Sequence, residues 1–481
     1  MYGGKWDKKG NFFDAEVKEV RVKPNYFLKR TLIDAPTHDV FRWHERDGAL
    51  ERLSPPWDPI KVIKRDHGIK DGACALLQMG PGPLKIRWLA THRDYEKNRI
   101  FRDIQVKGPF SHWVHTHKFY PRGRHRTLLE DCIEYKLPFH PLTRYLFAGL
   151  IRKKLKRIFT YRHETLAKDF ETLLRYPVKQ PVTIAITGAS GLIGASLVPF
   201  LKTAGHRVKC FQRHQVKSNN QPYWNPDTGE INPEDLANCD VVIHLAGENI
   251  GKGPWSKKKK RRILASRIRS TRLISKVISE LDSPPETFIC ASAIGYYGNR
   301  GEKLLTEEDS PGEDFISEVC RVWENSTMAA KRKGTRVIHL RIGIVLTPAG
   351  GALKKLMVPF KMGLGSKIGS GKQYMSWISI DDVLGAIYHI IMVKEIAGAV
   401  NLVSPKAVRN EDFVTILSKV VERSLRMKLS ENTIKAVFGQ MGDELLLSST
   451  RVFPRKLLDS GYRFRYPKLE DALRHVLGKR K

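Results

Sequence analysis

The rhythm of hydrophobic and polar positions changes along this chain, and each change predicts a different architecture. Between residues 25 and 176, short strand-like runs such as 85–90 and 127–135 are bounded by Pro/Gly turns at 81–83 and 107–109, which predicts antiparallel strands. The segment closes with Leu146, Leu150, Leu155, Ile158, Leu166, Phe170 and Leu173, an apolar stripe at roughly helical period. Strands capped by one long helix imply α+β layer packing. Residues 177–181, with a proline at each end, form the natural linker. From residue 182 onward strand and helix patterns alternate. Strands are predicted at 182–187, 207–212, 239–245, 286–291, 335–342 and 398–403, and helices near 192–204, 257–281, 314–333 and 381–394. This alternation builds a parallel sheet with right-handed crossovers, an α/β doubly wound fold of Rossmann type over 182–403. Residues 404–481 read as a small, charged, helical C-terminal lobe over the carboxyl ends of the strands, where ligands sit in such sheets. Residues 1–24 are a polar lead-in, expected to be flexible.

One strand-to-helix turn carries chemistry. The β-branched run from Val182 to Thr187 enters a Gly188-x-x-Gly191-x-x-Gly194 turn, a helical pattern follows to Gly205, and a second strand runs from Val208 to Phe211. Strand, glycine turn, helix and strand at this length is the setting in which glycines hold a dinucleotide. Gly188 permits the tight turn, Gly191 lets a diphosphate approach the backbone, and Gly194 lets the helix pack closely on the sheet. The amides around Ser190, Leu192 and Ile193 then face the phosphates at the positive end of the helix dipole. The second strand ends at Gln212-Arg213 without a carboxylate for a ribose 2′-hydroxyl. Arg213 instead offers a planar fork to a 2′-phosphate, so NADP is favoured over NAD.

Composition narrows the remaining choices. A chain of 481 residues exceeds one core and predicts two or three domains, and 41% hydrophobic residues suffice for globular folding. No apolar run reaches the ~18 residues of a membrane-spanning helix, and the first ten residues lack the apolar segment of a secretory signal. Cys74, Cys132, Cys210, Cys239, Cys290 and Cys320 show no C-x-x-C spacing, which argues against disulfides or a zinc site and for a reducing cytoplasm. The net charge of +34 suits an anionic partner, but the cations are spread along the chain. Their densest run, Lys257 to Arg262, opens a predicted helix and reads as a solvated face. A nucleic-acid partner is not favoured, because no recognised motif accompanies the run. His112, His115 and His117 tempt a metal reading. On a strand, however, His115 and His117 share a face that His112 does not, so pocket lining or strand surface is expected and no metal.

Longer stretches carry a resemblance. Thr187-Gly-Ala-Ser-Gly-Leu-Ile-Gly194, His244-Leu-Ala-Gly-Glu-Asn249, Ala291-Ser-Ala-Ile-Gly-Tyr-Tyr-Gly298, Leu340-Arg-Ile-Gly-Ile-Val-Leu346 and Ser376-Trp-Ile-Ser-Ile-Asp-Asp382 resemble, in order, the atypical short-chain dehydrogenase/reductase proteins of the epimerase family. Phe101-Arg-Asp-Ile-Gln-Val-Lys-Gly-Pro-Phe110 and Trp113-Val-His-Thr-His117 look like a START-related, polyketide-cyclase-like module. That second resemblance implies a helix-grip domain, a curved sheet around an apolar cavity closed by its last helix.

The epimerase resemblance implies that the backbone of Leu245, Ala246 and Gly247 lines the cofactor and that Ser292 lies beside the nicotinamide. Ordinary family members move a hydride with a tyrosine acid/base, a lysine four residues on and an upstream asparagine. Those positions here hold Ile316, Cys320 and Arg267. Ile316 has no exchangeable proton and Cys320 no fixed positive charge, so the standard relay is absent. Tyr296 or Tyr297 beside Ser292, with Arg267 as electrostatic partner, is one substitute; the alternative is that both tyrosines only pack. Cys320 is a further candidate as an activated thiol, weighed against a small buried hydrophobe. Arg341 is read either as a charged group near the sheet edge or as a salt-bridge partner. The expected function is an NADP-binding epimerase- or reductase-type protein acting by hydride transfer or epimerisation at a carbonyl or hydroxyl carbon, with an apolar small molecule held in the first domain. A non-catalytic NADP or ligand sensor is the alternative that the missing tyrosine–lysine pair raises.

Overall fold

The computed structural model describes residues 24–66, 68–80, 85–139, 142–178, 180–213, 221–424 and 427–479. The expected lead-in lies, Pro24 apart, outside them. The chain divides into two compact units, Met1–Arg175 and Tyr176–Lys481.

The first unit is built on seven antiparallel strands, β1 (Asn25–Ile33), β2 (Lys61–Arg65), β3 (Cys74–Met79), β4 (Ile86–Glu96), β5 (Ile100–Lys107), β6 (His112–Pro121) and β7 (Thr127–Lys136). Their order is β1-β7-β6-β5-β4-β3-β2, a meander whose last strand pairs back with the first. Helices α1 (Thr37–Glu45) and α2 (Ala49–Leu53) follow β1, and α3 (Leu142–Arg175) follows β7. Leu155, Phe159, Leu166 and Phe170 of α3 are buried in clusters with Phe27, Phe119, Leu129 and Ile133 of the sheet. A buried two-pronged ion pair from Arg52 to Asp169, at 2.7 and 2.8 Å, ties α2 to α3. Sheet, α2 and α3 together line a cavity of 630 Å³, with Leu77, Trp88, Phe110, Ile151 and Phe159 among its walls. This is the expected helix-grip arrangement. One stripe residue departs from expectation: Leu150 is 67% exposed. It stands five residues before Leu155, off the inward face that runs through Ile151, Leu155, Phe159 and Arg162. The side chain of Leu146 is outside the described residues.

The second unit contains β8 (Thr183–Thr187), β9 (Arg207–Phe211) and strands Val241–His244, Thr287–Ala293, Arg336–Ile342 and Gly398–Leu402. In one six-stranded sheet they run β9, β8, Val241–His244, Thr287–Ala293, Arg336–Ile342, Gly398–Leu402, every pair parallel. These are the six strands that the alternating pattern predicts. The central ones are covered on both faces, which is why they read as unbroken apolar runs rather than alternating ones. The chain steps from β8 outward to β9 and then returns to the other side of β8. Strand order therefore reverses between β8 and Val241–His244, a switch point that opens a crevice at the carboxyl ends.

Helices α4 (Gly194–Ala204), Lys257–Glu280, Phe315–Asn325 and Ile380–Met392 lie between these strands in sequence. The expected single helix over 314–333 is instead two, Phe315–Asn325 and Met328–Arg332. Ser326 and Thr327 interrupt it, their hydroxyls bonding back to the carbonyls of Val322 and Glu324 at 2.8 Å each. The small lobe also differs from a purely helical 404–481 segment. Its core joins Phe413, Leu417 and Leu473 to Leu346, Leu353, Phe360 and Trp377, residues that precede 404. The chain leaves the sheet early, at Gly343, where a Cβ would stand 2.6 Å from the Ser376 carbonyl oxygen.

Candidate functional site

The end of β8 at the switch point is shaped by glycine. Gly188 takes a φ of +72°, and a Cβ there would stand 2.8 Å from both the Ala246 nitrogen and the Leu245 carbonyl carbon. The turn after β8 and the turn after Val241–His244 thus meet backbone to backbone, and a side chain fits neither the space nor the φ. Any Cβ on Gly194 would collide with the backbone of Gly188 and Ala189, so this glycine seats α4 against the turn. Gly191 donates its N–H to the Gly188 carbonyl at 2.9 Å. Gly191 and Ser190 are exposed, while Leu192 and Ile193 are half-buried. α4 carries no acidic residue in its first turn, so the positive end of its dipole points at the exposed loop, while the N–H groups of Ala195 and Leu197 are taken by the Gly191 and Ile193 carbonyls at 2.9 and 2.8 Å. An anion is stabilised at such a place.

The facing wall is Leu245, Ala246 and Gly247. Leu245 donates its N–H to the Thr187 carbonyl at 3.1 Å. Just before it, His244 lies 2.6 Å from Thr187 Oγ1 and 3.0 Å from Ser270 Oγ, linking strand to helix. Burial, with Arg267 adding to it, pushes this imidazole down to about 3, so it is neutral. Arg267 stands behind Gly247, where a Cβ would lie 3.6 Å from its guanidinium carbon. It donates to the Glu248 and Ile263 carbonyls at 3.1 Å each and lies over the Trp323 ring. The basic run reaches this wall too. Lys259 and Arg262 each contact Glu248 Oε1 at 2.5 Å, so part of that charge is compensated within the unit. Arg213 follows β9 after one residue and is exposed.

Ser292 lies near the carboxyl end of Thr287–Ala293, and its hydroxyl donates to Glu324 Oε1 at 2.7 Å. Arg341 grips the same carboxylate through Nε and Nη2, both at 2.9 Å. Its Nη1 donates to the Tyr297 hydroxyl at 3.0 Å, and that hydroxyl donates to Asn401 Oδ1 at 2.7 Å. Ser292, Glu324, Arg341, Tyr297 and Asn401 are all buried, so five residues from three strands and two helical turns form one internal chain. The guanidinium of Arg341 also covers the Tyr296 ring at 3.4 Å.

This geometry sorts the expected catalytic residues. Tyr297 is wholly buried, and burial pushes its phenol up to about 12. With its hydroxyl engaged on both sides it is a structural tie, contrary to a role as proton donor. Tyr296 is half-buried and keeps accessible surface. Cys320 is buried, and burial, with Glu324 after it, pushes its thiol up to about 12, a direction opposite to that of an activated thiol. Ile316 is buried against Gly295, whose missing Cβ leaves room for it. Arg341 is the salt-bridge partner. The residue that organises these groups, Glu324, escaped the sequence reading, although it stands four and eight residues beyond Cys320 and Ile316 and so shares their helix face.

In the first unit, His115 and His117 turn into the cavity and meet Asp103, while His112 lies on the other strand face. Among the described residues no helix is long and apolar enough to cross a membrane.

The NAD dependent epimerase/dehydratase family profile matches residues 184–402, and a domain of unknown function, DUF1731, matches 432–476. An epimerase family protein of Mycobacterium bovis is 38% identical over 290 residues, covering 60% of this chain and 96% of the relative. One from Bacillus subtilis is 33% identical over 305 residues, covering 62% and 99%. Among solved structures, a nucleoside-diphosphate sugar epimerase from Corynebacterium glutamicum has a TM-score of 0.78 at 30% identity, covering 94% of this chain and 90% of that one. The human epimerase family protein SDR39U1, solved with NADPH, has a TM-score of 0.56 at 29% identity, covering 61% and 98%.

Proposed function

Because this chain belongs to the epimerase family, we propose that its second unit binds NADP(H) and carries out hydride transfer or epimerisation at a carbonyl or hydroxyl carbon. The observation that carries this reading is the glycine turn at the switch point, backed onto the Leu245 turn and placed at a helix start without acidic residues. Ser190, Gly191, Leu192 and Ile193 hold the diphosphate through their backbone, and Arg213 pairs with the 2′-phosphate. Leu245, Ala246 and Gly247 form the other wall. The likeness to a human relative solved with NADPH supports the phosphorylated coenzyme.

A bound nicotinamide supplies hydride chemistry; this chain must position the substrate and handle a proton. Tyr296 is the donor in this reading, since Tyr297 and Cys320 are withdrawn from solvent. Ser292 and Arg341 hold the floor beneath it through Glu324. The first unit is a START-related module whose cavity takes an apolar small molecule, and free cysteines suit a reducing cytoplasm. The full chain, mixed with NADPH and a panel of carbonyl compounds, should oxidise the coenzyme with at least one of them. Inertness toward the whole panel while NADPH still binds would remove hydride transfer. It would favour a second reading, a non-catalytic NADP sensor, for which the internal commitment of Ser292 and Tyr297 already speaks.

A further inference from the structure

We propose that the polar end of the first unit's cavity is a binding site for a divalent transition-metal ion, held by Asp103, His115 and His117 and open toward the apolar space. It rests on that cavity alone and stands whether or not the second unit binds a nicotinamide.

The sheet register assembles the site. His92 pairs opposite Asp103 across β4 and β5, Asp103 opposite His115 across β5 and β6, and His117 opposite Asp131 across β6 and β7. Because alternate residues share a face, these side chains gather on the cavity side. Asp103 Oδ2 lies 3.5 Å from His115 Nδ1 and 3.2 Å from His117 Nε2, and one donor atom from each residue falls within 4.8 Å of the others. Ligands around an ion with bonds of ~2.0–2.1 Å stand ~3.3 Å apart in a tetrahedral shell. The two distances from Asp103 match that spacing, and the two imidazole donors lie within 4.8 Å of each other.

The opposite ring nitrogens tell the same story. His115 Nε2 and His117 Nδ1 lie 3.3 and 2.6 Å from Asp131 Oδ1. The other oxygen of Asp131 is 2.8 Å from His163 Nε2, and His163 Nδ1 is 2.8 Å from Thr31 Oγ1. Asp131 stands behind both imidazoles, where the outer carboxylate of a metal-ligating histidine stands; its Oδ1 meets the two ring nitrogens at ion-pair distance without hydrogen-bond alignment. His92 Nε2, 2.8 Å from Asp103 Oδ1, steadies the third ligand. Phe101 stacks on His117 with ring centres 4.2 Å apart, and Phe159 meets His115 edge-on at 5.1 Å, so both rings are held by packing. Two imidazoles and one carboxylate suit zinc or iron(II). The remaining coordination positions face the cavity, where an apolar ligand carrying a carbonyl or hydroxyl oxygen would complete the shell.

The test titrates metal-free full-length protein with Co(II), followed by its visible d–d absorption, and then displaces Co(II) with Zn(II). One equivalent per chain is expected. Asp103→Asn, His115→Gln and His117→Gln should each abolish the bands, and Asp131→Asn should weaken binding ~10–100-fold, with circular dichroism confirming that each variant is folded. X-ray absorption of the zinc-loaded wild type, which needs no variant, should show two imidazoles and oxygen. Absence of Co(II) binding, bands that persist unchanged in folded ligand variants, or a zinc shell without imidazole would overturn the proposal.

Discussion

Glu324 shows how one side chain can redefine its neighbours. Ser292, Arg341 and, through Arg341, Tyr297 all answer to its carboxylate, so groups that look reactive in sequence become a fixed internal scaffold. Removing one member of such a buried pair leaves the other uncompensated, which is why the chain reads as structure rather than as a free relay. His244 offers a residue-scale test with a defined sign. Its imidazole takes up a proton near 6.5 when unfolded but only near about 3 when folded. Its contribution to stability is therefore full above pH 6.5 and is lost as pH falls toward the folded value, by at most ~1.4 kcal/mol per pH unit. Urea unfolding of wild type should weaken more steeply between pH 6.5 and 4.5 than that of His244→Gln; equal slopes would contradict a neutral buried histidine.

The turn between β8 and α4 is where the element scale decides function. Gly188 and Gly194 are required by the fold, one by its φ and its contact with Ala246, the other by the backbone it touches. Gly191 is different: it is exposed, its φ is not left-handed, and a Cβ there would be 3.1 Å from the Gly188 carbonyl oxygen. Gly191→Asp should accordingly fold, yet put a negative side chain where the diphosphate belongs. NADPH affinity should fall at least tenfold, about 1.4 kcal/mol, in fluorescence titration, with the circular dichroism spectrum unchanged. Wild-type affinity in this variant would place the coenzyme elsewhere. The neighbouring elements were legible in sequence because strand and helix periods are local. The break at Ser326 and Thr327 was not, since it depends on hydroxyls turning back to their own helix.

At the scale of the whole molecule, one unit carries a parallel sheet with a ligand crevice and the other an antiparallel sheet around a cavity. Binding to the folded state alone stabilises it by mass action, ~2.7 kcal/mol at a hundredfold excess over Kd. NADPH at that excess should slow hydrogen exchange in peptides spanning 183–194 and 241–247, and at the same concentration the protection should shrink by at least ~1.3 kcal/mol in Gly191→Asp. Undiminished protection in the variant would assign the effect to another site.

The class of each half, the six parallel strands and the glycine turn are written in short stretches of sequence, because periodicity, chain reversal and the steric needs of glycine act over a few residues. The chemistry those elements present comes from long-range packing. Asp103 meets His115 and His117 through strand register, and Ser292 meets Glu324 through the packing of a helix on a strand. Contacts between residues so far apart in sequence are set by the closing of sheets and cores, and no local pattern encodes them.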